Sequence, residues 1–134
     1  MSDWTEFLTV PGAMRELYEV PPALNACDLF YFHMDERLMS VTLGFDTRRL
    51  PATRPEVWRD AEFNTFEFYV QFSGVTDLRI SGWTGQPHNE FSLSRTADGR
   101  VAVTISGTGA EQSAVFQAAE VSLVKSRVYL AGGQ

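Results

Sequence analysis

From residue 28 onward the chain alternates apolar and polar positions with period two, the signature of half-buried strands. Phe66, Phe68, Val70 and Phe72 fall on one side of a segment at 65–73, with Glu67, Tyr69, Gln71 and Ser73 on the other. The same alternation sets Leu78 and Ile80 against Arg79 and Ser81. It also sets Phe91 and Leu93 against Glu90, Ser92 and Ser94, and Val103 and Ile105 against Thr104 and Ser106. The apolar members of these pairs are the predicted core. Met39, Val41, Leu43 and Phe45 form one dry face of a strand opposite Leu38, Ser40, Thr42 and Gly44. Its hairpin partner is different: Phe30, Phe32 and Met34 alternate with Leu29, Tyr31 and His33, both sets largely apolar, which predicts cover on both sides. Val115 and Phe116 mark a short strand and 121–130 the last one, with Gly74, Asp98-Gly99 and Gly107 to Gly109 as turns.

The first twenty residues read differently. Trp4, Phe7 and Leu8, then Met14, Leu17 and Tyr18, repeat an i, i+3, i+4 spacing, which predicts short helical segments at about 3–9 and 11–18. Asp3 and Glu6 resemble a capping pair, and Pro21-Pro22 ends the run. Residues 46–64 lack periodicity, carry Arg48, Arg49, Arg54 and Arg59, and form the longest predicted loop, with Trp58 pinning it to the body. No helical pattern of about 10–15 residues separates the strands, so parallel crossovers are excluded. The expected fold is α+β or mainly β. Short N-terminal helical segments precede about eight mostly antiparallel strands in a curved meander or sandwich, one domain over 1–134.

Composition narrows the function classes. At 44% hydrophobic and 21% charged the chain matches an ordinary globular domain and no disordered tail. No apolar run approaches the roughly 18 residues of a membrane span, and Met1 to Leu8 carries no basic region before an apolar core, so neither an anchor nor a Sec-type signal is expected. The single cysteine, Cys27, forbids an internal disulfide and fits a reducing cytoplasm. A net charge of −6 argues against nucleic acid, which needs a basic face, and suits a basic protein partner.

No catalytic constellation emerges. His33 and His88 stand in no metal-binding spacing, and His33, inside an apolar strand, reads as a partly buried core residue. Cys27 lacks a partnered histidine and has Asp28 beside it, which opposes a thiolate. There is no phosphate-cradling glycine loop and no serine elbow. The expectation is no catalytic residue, no metal and no cofactor. Binding chemistry is better represented. If strands 65–73, 76–83 and 88–95 are neighbours, their solvated face collects Glu67, Tyr69, Arg79, Trp83 and Glu90. Tyr, Trp and Arg are enriched at binding hot spots, so this face is the candidate partner surface, with the arginine loop 48–59 as the next.

Several features together resemble a known family. They are Trp4 in a short helical start, the Ser81-Gly82-Trp83 step, the Phe91-Ser92-Leu93 strand, and the closing Phe116, Val121-Ser122-Leu123-Val124 and Tyr129. Over about 4–130 the chain is similar to the bacterial immunity proteins grouped as immunity family fifty. The resemblance implies a cytoplasmic, non-enzymatic inhibitor that binds a toxin encoded beside it, and it carries no catalytic residue. Three other readings stay open. A small-ligand-binding β domain would need an apolar interior cavity of about 300 Å³ or more. An enzyme would need Glu67, His88 and Glu90 to converge in one cleft. The chain could also be a structural subunit of a larger complex, and sequence does not fix the oligomeric state.

Overall fold

The computed structural model describes residues 4–10, 18, 22–49, 64–81, 90–106 and 112–129. Eight strands are present: β1 Asp28–Asp35, β2 Ser40–Thr47, β3 Thr65–Ser73, β4 Thr76–Ile80, β5 Glu90–Arg95, β6 Val101–Ser106, β7 Gln112–Ala118 and β8 Glu120–Tyr129. They form two four-stranded sheets, ordered β1-β2-β3-β8 and β4-β7-β6-β5, and every named pairing is antiparallel. The fold is mainly β. Among the described residues the only helices are single 3₁₀ turns at Trp4–Phe7 and Leu24–Ala26, which agrees with the mainly β expectation and does not confirm the α+β one. The first of the two expected helical segments is reduced to one such turn; the second, at 11–18, lies outside the described residues except for Tyr18.

The sheets pack face to face through the alternation seen in sequence. Val41, Leu43 and Phe45 of β2, Phe66, Phe68, Val70 and Phe72 of β3, and Val101, Val103 and Ile105 of β6 are at most 1% exposed. Phe45 meets Phe91 edge-on at 5.1 Å, and Phe72 meets Phe116 at 5.3 Å. These contacts place β2 over β5 and β3 over β7, the arrangement of a β-sandwich. Phe68 is the centre of the packing: its ring stacks on Phe45 at 5.3 Å, on Phe66 at 5.6 Å and on Trp4 at 5.7 Å. The N-terminal turn supplies Trp4, whose indole N–H donates to the Pro22 carbonyl at 2.8 Å. Just beyond it, Leu8 forms a parallel bridge to Val121 and the Thr9 amide donates to the Val121 carbonyl at 2.8 Å, which ties the turn to β8.

Three core expectations change. Ile80 keeps the inner parity, opposite Ala114, but it ends an edge strand and is 48% exposed. Leu78, Phe91 and Leu93 are only half-buried against the core, because β4 and β5 are the two edges of their sheet. Met39 is not in a strand. It sits in the β1–β2 turn at φ 47° and is 46% exposed, so the dry face of β2 begins at Val41. At its other end β2 runs through Asp46 and Thr47, two residues assigned above to the long loop.

Truncating the central ring tests this packing. Phe68→Ala should destabilise the protein by about 3–5 kcal/mol, the range for a buried phenylalanine, read as a lowered midpoint with unchanged slope in urea unfolding. A loss below about 1 kcal/mol would show that the three stacked rings do not hold the sheets together.

Candidate partner surface

Among the described residues, Glu67 and Tyr69 lie on a different sheet from Arg79 and Glu90. The premise of the expected face was that strands 65–73, 76–83 and 88–95 are neighbours, yet β3 lies in the first sheet while β4 and β5 are opposite edges of the second. Arg79 and Glu90 are both exposed, but β7 and β6 separate their strands. Glu67 has the outer parity of β3 and is nevertheless only 4% exposed. Its neighbour in register, Asp46, is half-buried, so this end of the outer face is covered and Glu67 does not offer a solvated charge. Trp83, His88 and loop residues 50–63 lie outside the described residues. Glu67 and Glu90 are on different sheets, so they do not converge on a common cleft.

Tyr69 is placed where sequence put it, on the outer face of β3, and it has different company. Reading across the first sheet, Tyr31, Gly44, Tyr69 and Lys125 form one row in register. A β-bulge between Leu29 and Tyr31 puts an extra residue into β1. Phe30 and Tyr31 therefore both stand on the outer face, while Leu29 and Phe32 pack against the core. Phe30 reaches across β2 to meet Tyr69 edge-on at 5.8 Å, and Tyr31 meets Tyr69 edge-on at 5.7 Å. His33 stacks on Tyr31 at 6.1 Å. The Lys125 ammonium lies 4.6 Å from the Tyr69 ring centroid, within cation–π range.

Gly44 makes this arrangement possible. A Cβ at that position would lie 2.9 Å from Tyr31 Cβ, 2.9 Å from Tyr69 Cε2 and 3.0 Å from Phe30 Cζ. Glycine in a central strand ordinarily weakens it, and a close approach of other groups is the usual reason for its presence. Here two rings and the Tyr31 Cβ settle onto the bare backbone.

The result is an aromatic floor that water reaches. Phe30 is 46% exposed, Tyr31 41% and Val124 46%, and His33 is exposed as well. An open groove of about 350 Å³ runs over it, lined by Tyr31, Thr42, Tyr69, Val124 and Lys125. The expectation that β1 is covered on both sides, with His33 in the core, is thus corrected. β1 is an edge strand whose second apolar side faces outward. Apolar alternation on both sides cannot distinguish two packed faces from one packed face and one sticky face. The missed signal was Gly44 in the middle of an otherwise large-residue strand.

Cys27 offers no reactivity. It is 1% exposed beneath the Leu24–Ala26 turn, and its thiol donates to the Ala23 carbonyl at 3.5 Å. Burial pushes it up from 9.0 to about 12, with Asp28 and Asp46 adding to the rise and Thr47 and Arg49 opposing it. Among the described residues no group of three or more His, Cys, Asp and Glu could hold a metal ion, and no helix is long and apolar enough to cross a membrane.

Three outcomes follow from these placements. Native Cys27 should resist alkylation at pH 8 and react at the rate of a free thiol once the chain is unfolded in urea, checked by mass spectrometry. Because the folded thiol titrates higher than the unfolded one, its contribution to stability is complete below about pH 9 and is lost as the pH rises toward 12. Gly44→Ala should cost about 1–3 kcal/mol by crowding Tyr31 and Tyr69, read in urea unfolding. An ordinary Gly→Ala change in a strand would instead stabilise, and that result would mean the rings are not seated on Gly44.

No curated protein and no solved structure matches the chain. A family model described as Immunity protein 50 matches residues 11–129, a span that contains all eight strands of the sandwich. By this match over nearly its whole length, the chain belongs to the immunity protein 50 family.

Proposed function

We propose that this protein is the non-enzymatic immunity partner of a bacterial polymorphic toxin: it binds the cognate toxin domain in the cytoplasm of the producing cell and neutralises it. The observation that carries this reading is the family match from residue 11 to residue 129, which spans the complete sandwich. The physical character of the chain supports it. A neutralising protein needs a firm scaffold and a surface of binding-type residues, and the sandwich supplies a ring-packed core with aromatic side chains left outside it. The net charge of −6 favours capture of a basic partner over nucleic acid or an anionic membrane.

The groove over Tyr31 and Tyr69 favours a second reading, a small-ligand-binding β domain, because its volume of about 350 Å³ is in the range such sites use. It is a weaker reading, since the groove is open and lies outside the sandwich rather than between the sheets. The neighbouring gene separates the two. Expression of the toxin domain encoded directly upstream should arrest growth, and co-expression of this chain should restore it, with the two proteins co-purifying at equal stoichiometry. Growth arrest that persists despite soluble, folded chain would overturn the immunity reading.

A further inference from the structure

We infer that the outer face of the β1-β2-β3-β8 sheet, centred on Phe30, Tyr31 and Tyr69, is the surface that docks a protein partner, and that the partner lays an arginine or lysine side chain on these rings. The inference rests on the immunity reading and adds to it a place and a chemistry.

Three observations converge. The first is area: Phe30, Tyr31 and Val124 leave 41–46% of their surfaces in water on a single face. Exposed apolar patches with a polar rim mark interaction sites. Here the rim is Thr42, His33 and Lys125.

The second is construction. Gly44 accepts the cost of a glycine in a central strand so that the rings pack edge to face. Edge-to-face packing fixes ring directions, and a fixed ring loses little entropy when a partner arrives. Lys125 over Tyr69 shows that a cation already rests on one of these ring faces.

The third is charge. The only carboxylates and cations on β1 and β2 are Asp28, Asp35 and Asp46, all negative. Asp28 and Asp35 stand at the two ends of β1, one on each side of the aromatic row, and the chain as a whole carries a net charge of −6. These charges give the β1 side of the face a negative field. That field and the ring faces attract the same group, a cation, over the β1–β2 half.

The test uses the full-length chain and the toxin domain encoded beside its gene, with binding followed by surface plasmon resonance across a salt series. Phe30→Ala and Tyr31→Ala are expected to weaken binding about thirtyfold each, mainly through faster dissociation. Tyr31→Phe, which keeps the ring, should stay within about threefold, and Tyr31→Lys should weaken binding more than Tyr31→Ala because it puts an ammonium where the partner's cation rests. Asp28→Asn with Asp35→Asn should slow association at low salt and leave dissociation unchanged. Thermal unfolding of each variant checks the fold, and Phe30→Ser replaces any variant that fails it. Wild-type chain that neither binds nor protects overturns the immunity reading itself. Wild-type binding that Phe30→Ala, Tyr31→Ala and Tyr31→Lys leave intact overturns this inference alone. So does a loss confined to Arg79→Ala or Glu90→Gln, or a Tyr31→Lys variant as tight as Tyr31→Phe. A chain that sediments as a dimer by itself, and as a monomer after Tyr31→Ala, would assign the face to a second copy and also overturn it.

Discussion

The stack of rings around Phe68 is the contact on which the sandwich depends. Phe68 joins the two faces of the problem: it holds Phe45, and through it Phe91 of the opposite sheet, while Trp4 from the N-terminal turn lies on it. Stacked and edge-on ring pairs add to burial roughly 0.5–1.5 kcal/mol each, and they fix distance and angle as plain aliphatic contacts do not. The spacing between sheets is therefore set by rings. The outer face of β1 to β3 inherits that precision, because Tyr69 and Gly44 alternate with Phe68 and Phe45 on the same two strands.

Strand positions were legible in the sequence wherever only one side is apolar. β3 and β6 alternate so strictly that period two reveals both their extent and their buried side. Sheet order was not legible. Tyr69, Arg79 and Glu90 looked like neighbours because their strands follow one another in the chain, but the chain leaves the first sheet after β3 and returns only at β8. A local pattern contains no information about that crossing. β1 failed for another reason. Phe30, Tyr31 and His33 are residues a core would welcome, and hydrophobicity does not state whether the cover comes from the same molecule or from elsewhere. Tyr69 has the outer parity expected of it, because that parity follows from Phe68 next to it.

An edge strand with exposed aromatics is an aggregation hazard, and β1 handles it with the feature that builds the site. The bulge at Phe30 interrupts the ladder that a foreign strand would extend, and Asp28 and Asp35 bracket the edge with negative charge. The same bulge brings a second ring to the outer face. Protection of the edge and presentation of the rings are two results of one inserted residue.

The crossings between sheets have a consequence of their own. β3 passes into β4 at Gly74, φ 64°, and β7 passes into β8 at Ala119; the Ala119 amide donates to the Ser73 carbonyl at 2.8 Å, and Val75 donates to Met39 at 2.8 Å. Arg100 closes the corner by donating to the Gly74 carbonyl and to Thr76 Oγ1. Both covalent links thus run side by side along one margin, like the spine of a book. The opposite margin, where Phe45 meets Phe91, is held by packing and by Asn25, whose side chain accepts from the Phe91 amide at 2.9 Å. Among the described residues the fore-edge thus has no covalent link, and the Leu24–Ala26 turn that carries Asn25 is its clasp.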